Sequence, residues 1–477
     1  MSGWGTIYSN TKYSLSMYSQ RIAALQEQVA SGARVNRASD DPGDAYRIMR
    51  LKAQSASLEQ YERNVQEATR TLELGHSLIS EVSNNLQSVL QKVEQAASGT
   101  YSDANRVVLG EDINSILDQV LALANTENLG QYVFSGANSH VKPYAAETQD
   151  GYVTAVTYQG SRTDLPVPIA PGVEMSGVTV GEEVFRRDDR RPPEFLGETG
   201  VSTGTGTSTV RGNLSLELTH KETNVVADAA GTNLQISGVG PAHTVLGRHD
   251  LVVDVQGQTI RFADGGPSVS FDGTETALAV ADSYGNSVFV DVSALNGAVV
   301  GEATVTIQSD GYLTFDGGPA AEVSDYTDTN VAVTDPDGRV LYVNATGIHA
   351  TGRAPVRVPG TADLFETLIY VRDVLLNESE LSTAEQLELV KAAALSVDEV
   401  MAGVTQSMTF MGGRLEALDT LEGSLEAVRA NADDQAATLE NADIVQLAAD
   451  LARMETLYEM TLATASKLLN MTLLDYL

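Results

Sequence analysis

With 477 residues, a net charge of −34 and no cysteine, the chain can carry no disulfide, thiolate-bound zinc, iron–sulfur cluster or cysteine nucleophile. Hydrophobic residues make up 42% and charged residues 20%, which supports sizeable cores and argues against wholesale disorder. The charge disfavours nucleic acid and anionic membrane surfaces, and no stretch reaches the ~18 apolar residues of a membrane span.

The length sets a prior of about two to four domains. The first residues have no basic region followed by an apolar run, so no cleaved secretory signal is expected. Leu15, Tyr18, Ile22, Leu25 and Val29 alternate spacings of three and four, which places them on one helical stripe. Gly32 interrupts, and Arg34 to Asp41 is polar. Asp40 or Asp41 before Pro42 is a good helix start, because a carboxylate accepts the free N–H groups and proline needs no donor there.

The next helix is long. Leu58, Tyr61, Val65, Ala68, Leu72, Gly75, Ile79, Val82, Leu86, Val89, Val93 and Ala96 keep the three-four alternation of a coiled-coil seam. Gly75 is the weak position and predicts close approach of a partner helix, and Gly99 is the expected stop. Ser102 or Asp103 caps a third helix with Leu109, Ile113, Ile116, Val120 and Leu123 on its stripe. The short connection predicts an antiparallel pair.

From about Gly130 to Gly360 the chain changes to Gly, Thr, Val and Asp. The runs Leu251–Val255, Ser287–Val292, Thr304–Gln308 and Val340–Val343 predict antiparallel hairpins or a small sandwich. Gly197 to Thr209 has the composition of a linker. Helix returns after Pro359-Gly360, with a break expected at Asn377 to Thr383. The second long seam runs Leu387, Val390, Ala394, Val397, Met401, Val404, Met408, Met411, Leu415 and Leu418, slips at Leu421, and continues through Leu425 and Val428. Leu439, Ile444, Leu447, Leu451, Met454 and Tyr458 form a last stripe. Each seam needs a covering helix, and the simplest partner is the other end of the chain.

The fold class is therefore α+β: long N- and C-terminal helices form a coiled-coil-like bundle, with an inserted antiparallel β region made of a small element and a larger domain. The expected divisions are 1–38 and 434–477 for a terminal helical domain and 39–136 and 359–433 for the bundle. Residues 137–196 form its β element, and 197–358 a variable β domain.

Ser31-Gly32-Ala33-Arg34-Val35-Asn36-Arg37-Ala38-Ser39-Asp40-Asp41-Pro42-Gly43 resembles the N-terminal signature of the flagellin family, and Glu440-Asn441-Ala442-Asp443-Ile444 its C-terminal counterpart. Gly130-Gln131-Tyr132-Val133-Phe134-Ser135-Gly136, Tyr158-Gln159-Gly160, Gly412-Gly413-Arg414-Leu415 and the end Leu473 to Leu477 resemble the family's hook-filament junction members more than flagellin itself. Ser161 departs from an aspartate usual in that pattern, and about 197–353 resembles nothing recognised. The resemblance implies a non-enzymatic, extracellular axial component of the bacterial flagellum, exported unfolded without a cleaved signal. The implied partners are its own copies in a ring, hook-associated protein 1, flagellin, and a cytoplasmic export chaperone at the C-terminal helix. Neither nucleic acid nor membrane is an implied partner.

The expected subunit-packing residues are Leu15, Tyr18, Ile22, Leu25, Val29, Arg34, Asn36, Asp40 and Asp41 near one end. At the other they are Ile444, Leu447, Leu451, Met454, Tyr458, Leu468, Leu474 and Leu477. Catalysis and cofactors are not expected. No histidine pair has zinc-protease spacing, and His243 and His249 read as loop residues. Asp335-Pro336-Asp337-Gly338 lacks the remaining ligands of a calcium loop and reads as a turn. Two alternatives stand beside the junction reading: flagellin itself, and an adhesive or carbohydrate-binding insert. The second would require clustered aromatics, and the insert has few.

Overall fold

The computed structural model describes residues 3–474 apart from 99, 178, 240, 241, 325, 379 and 380, with side chains from 6 to 467. Seven helices appear among the described residues: α1 (Gly3–Ser31), α2 (Pro42–Ala96), α3 (Asp103–Ala124), α4 (Gly181–Phe185), α5 (Leu364–Leu376), α6 (Thr383–Glu440) and α7 (Ile444–Leu474). None of them is long and apolar enough to cross a membrane.

The strands fall between α3 and α5. In chain order they are β1 (Glu127–Asn128), β2 (Gln131–Tyr132), β3 (Tyr144–Gln149), β4 (Tyr152–Tyr158), β5 (Pro166–Ala170), β6 (Val173–Ser176) and β7 (Glu194–Phe195). Then come β8 (Ser202–Thr203), β9 (Gly212–Asp228), β10 (Gln235–Ile236), β11 (Gly247–Asp254), β12 (Thr259–Phe262), β13 (Val269–Ser270) and β14 (Leu278–Ala281). The last six are β15 (Ser287–Asp291), β16 (Glu302–Phe315), β17 (Ala321–Val323), β18 (Val331–Thr334), β19 (Val340–Asn344) and β20 (Gly352–Val358).

The chain divides into two compact units. One holds 1–70, 166–177 and 414–477; the other holds 71–165 and 178–413. In the first, α1 packs along α7. The start of α2 lies beside the end of α6. Lys52 pairs with Glu440 at 2.6 Å, Gln66 donates to Glu422 at 2.8 Å, and the half-exposed Arg429 pairs with buried Glu62. Leu58, Val65, Leu418, Leu425 and Ala432 are the buried seam between them. The β5–β6 hairpin is attached by Asn64 donating to the Pro168 carbonyl at 2.7 Å and by Arg414 donating to that of Ser176.

In the second unit the α2 seam is sealed: Leu72, Ile79, Val82, Leu86, Val89, Val93 and Ala96 are all 0% exposed. Ser102 caps α3 by accepting from the Asn105 N–H, and Lys92 pairs with Asp112 at 2.5 Å across the helix pair. Gly75 does mark a close approach: a Cβ there would sit 3.5 Å from the Met411 side chain of α6. The expected break holds, with α5 ending at Leu376 on a left-handed Asn377. α5 packs on α3. Arg106 and Arg372 are buried in this helical core, satisfied respectively by the Ala96 carbonyl with Gln386 and by the Val153 carbonyl with Asn114. Phe134, Tyr144, Phe185 and Phe365 form an aromatic cluster at the base of the β region, with ring centroids 4.7 to 6.1 Å apart.

The large antiparallel sheet has the order β13-β12-β11-β16-β9-β20-β7, with β17 also paired to β16. Its long strands β9 and β16 serve two cores. Leu216, Leu218, Leu313 and Phe315 face a cluster covered by β18 and β19, while Val305 and Ile307 face another covered by β14 and β15. Of the two register shifts in β16, that at Asp310/Gly311 falls between these two groups, and that at Thr306/Ile307 falls within the second. Bulges increase local twist, so one pair of strands can present successive segments to different cores.

Several expectations change. Gly197 to Thr209 is no linker: β8 pairs with β19, the Thr209 N–H donates to the Val340 carbonyl, and Arg190 donates to the carbonyls of Ser208, Thr209 and Val210. Its glycines serve close packing; a Cβ on Gly200 would lie 1.8 Å from the Gly347 carbonyl oxygen. His249 lies in β11, while His243 stays in a connection. Val428 is exposed, because the seam of α6 continues by sevens from Leu425 to Ala432. The Gly99 stop lies outside the described residues; α2 ends at Ala96. Asp335 to Gly338 is a turn, closed by the Gly338 N–H on the Asp335 carbonyl at 3.1 Å.

Candidate functional site

The two polar connectors of the first unit meet. Gly32 to Asp41 joins α1 to α2, and Asn441 to Asp443 joins α6 to α7. The Arg34 N–H donates to the Glu440 carbonyl at 2.7 Å, and the Ala442 N–H to the Gly32 carbonyl at 3.0 Å. These make an antiparallel bridge between Ala33 and Asn441. Gly32 turns the chain with φ of +70°, a conformation that side chains disfavour.

Charged side chains hold this pairing. Arg34 pairs with Asp44 and with Asp41 at 3.4 Å, and donates to the Leu439 carbonyl at 3.1 Å. Asp44 and then Asp41 hold its guanidinium above the ordinary value. Between the two possible caps the structure selects Asp41, whose Oδ1 accepts from the N–H groups of Gly43 and Asp44 at 3.1 Å each. The Asp44 N–H, and after it Arg34 and the Gly43 N–H, hold the Asp41 carboxyl below its usual range. Asp40 folds the loop itself, accepting from the N–H groups of Asn36 and Arg37 at 3.1 and 2.8 Å. The Asn36 amide donates to the Ala33 carbonyl at 3.3 Å. The result is a braced crossing of the two connectors.

Leu25 and Leu447 are buried, while Leu15, Tyr18, Ile22, Leu451, Met454 and Tyr458 are half-buried on the paired helices α1 and α7. Val29 and Ile444 are exposed near the connectors. Leu468 and Leu474 lie in α7 with undescribed side chains, and Leu477 lies outside the described residues. The stripe thus faces a partner within the chain. A second set of large apolar side chains remains in water: Ile7, Tyr8, Tyr13 and Met17 on α1, with Val445 and Met460 on α7. Sequence reasoning missed this set, because periodicity marks the dominant stripe and leaves the other face unread. It also missed Asp44 and the Leu439 carbonyl, which only the crossing of the two ends brings to Arg34.

Residues 6–139 match the family model for the bacterial flagellin N-terminal helical region. This region is thus similar to the N-terminal helical region of bacterial flagellin. Over 122 residues the chain is 36% identical to flagellar hook-associated protein 3 of Escherichia coli K12, covering 25% of this chain and 38% of that one. Over 125 residues it is 35% identical to flagellar hook-associated protein 3 of Salmonella typhimurium, covering 26% and 39%. The matched part of the chain therefore spans less than two fifths of either relative. The match to flagellin of E. coli O127:H6 is 27% over 141 residues, covering 30% and 25%. The crystal structure of flagellar hook-associated protein 3 from Legionella pneumophila is similar at a TM-score of 0.46 and 16% identity, covering 82% of this chain and 98% of that one.

Proposed function

We propose that this chain is a structural subunit of the bacterial flagellum, set at the junction between hook and filament. The observation that carries the reading is the greater likeness of the chain to hook-associated protein 3, 36% identity over 122 residues against 27% over 141 for flagellin. The braced crossing of the chain ends supports it, since a subunit of a tubular assembly must hold both termini together under load. Residues 1–38 and 434–477 form its inner, tube-building part; 39–136 and 359–433 the surrounding bundle; 137–196 a β element; and 197–358 an outer variable domain. The packing residues are those of α1, α7 and the connectors, together with the exposed set Ile7, Tyr8, Tyr13, Met17, Val445 and Met460.

Copies of the chain form a ring that contacts hook-associated protein 1 on one side and flagellin on the other. The role is mechanical, with no reaction, no cofactor, no nucleic acid and no membrane partner. Export proceeds without a cleaved signal, with a chaperone on α7 beforehand.

The test is deletion of the gene in its host, followed by electron microscopy and analysis of the medium. Bare hooks with flagellin released into the medium are the expected outcome. Intact but altered filaments would assign the chain to flagellin instead. Unaltered flagella would overturn both.

A further inference from the structure

Within the first unit, the two flanks of α6 differ in charge. Leu418, Leu425 and Ala432 are buried and spaced by seven, so they mark the seam against α2. One position after each comes an exposed acid: Asp419, Glu426 and Asp433. Glu416 lies one turn earlier on the same side. None of the four has an ion-pair partner among the described residues. One position before Ala432 and Leu439 come Asn431 and Thr438. At about 100° per residue, positions on either side of the seam lie on opposite flanks of the helix.

That second flank forms a groove with α2. Its volume is about 990 Å³, and Arg47 and Arg50 line it opposite Asn431, Asp434 and Thr438. Arg50 has no ion-pair partner among the described residues, and Arg47 reaches only Asp44, at 3.6 Å along its own helix. Asp434 offsets part of this charge. Tyr46 and Met49 stand 65% and 60% exposed beside the groove, which is more apolar surface than a solvated flank requires.

We propose that the acidic flank of α6 in one copy seats in the α2–α6 groove of a second copy. This deepens the ring reading above and rests on it. The two surfaces are complementary in charge, and they are different surfaces of the chain. The contact is therefore heterologous, and repeating it carries the chain around a ring or a helix instead of closing at a dimer. Tyr46 and Met49 lose water on contact, and the arginines meet carboxylates that nothing in their own copy neutralises.

The absence of cysteine makes the test direct. Arg50→Cys is combined in turn with cysteine at Glu416, Asp419, Glu426 or Asp433, and flagella isolated from the host are oxidised. A ladder of linked copies is expected from at least one double variant, and none from any single variant. A chain found in flagella that gives no ladder in all four pairings overturns this contact and leaves the ring reading standing. A chain absent from isolated flagella overturns both. A link from Arg50→Cys alone, to its own copy or to another protein, assigns the groove to a different occupant and overturns the proposal. Charge reversal gives a second measurement that needs no cysteine. Cells with R47E/R50E, or with lysine at the four acids, should lose filaments about tenfold, because like charges then face each other. Co-expression of the two variants should restore filaments, since each reversed surface then has a match; failure to restore them, or no loss in either strain, overturns the contact.

Discussion

Arg34→Ala removes a side chain that ties the first connector to the starts and ends of the helices beside it, Asp44 in α2 and Leu439 in α6. It deletes the pairs to Asp41 and Asp44 and the hydrogen bond to the Leu439 carbonyl. The Arg34 side chain is 44% exposed, so each ion pair contributes only about 0.2–1 kcal/mol and the carbonyl bond about 1 kcal/mol. The sum, about 1.4–3 kcal/mol, acts on one local crossing and not on the cores. The observable is therefore hydrogen exchange at the two amides that close the crossing, Arg34 or its replacement and Ala442. An opening free energy lower by that amount speeds their exchange about 10- to 150-fold. Arg34→Lys should fall between, because an ammonium keeps the charge without the forked geometry. Unchanged exchange at both amides, or a faster exchange that extends equally into α3 and α5, would refute the bracing argument.

Further outcomes follow from the second unit. Leu86→Ala empties a site that is 0% exposed and should cost about 2–5 kcal/mol in denaturant unfolding of the full chain. Gly360→Ala should destabilise strongly: φ is +80°, and a Cβ would lie 1.5 Å from the Asp189 carbonyl oxygen, a backbone atom that cannot yield; calorimetry reads the loss. Asp363 caps α5 by accepting from the Phe365 and Glu366 N–H groups, yet burial pushes its carboxyl up to about 7. Its folded form holds a proton that the unfolded chain releases near 4, so this group's stabilisation is present at pH 4 and lost as the pH rises through about 7. Asp363→Asn keeps the cap acceptor. The difference in Tm between the variant and the parent should therefore grow in the variant's favour from pH 5 to pH 8, and a constant difference would reject the burial argument. His220 and His243 stack at 4.9 Å and are both held below the ordinary histidine value by burial, His220 also by His243. They act in the opposite direction: stability falls as the pH drops below about 6.5, and replacing both with glutamine should flatten that acid limb.

Local periodicity determined the helical part of this protein. A three-four alternation can be satisfied only by a helix with one buried stripe, and Val65 through Ala96 are buried at those positions, Gly75 against Met411. Caps were legible for the same reason, since Ser102 and Asp41 bond to amides within three residues of themselves. The family likeness was legible because each of its signatures, Ser31 to Gly43 and Glu440 to Ile444, is one short continuous segment. What tertiary structure decided depends on residues far apart in the chain. Gly197 to Thr209 has a linker's composition but becomes sheet because β19, about 140 residues later, supplies its hydrogen bonds. Glu62, Arg106 and Arg372 are charged and yet buried, because carbonyls and side chains from distant helices satisfy them. The crossing at Arg34 belongs to the same class: its acids lie within ten residues, but the carbonyls of Leu439 and Glu440 arrive from about 400 residues away. A sequence encodes which faces must be covered, and only the folded chain determines what covers them.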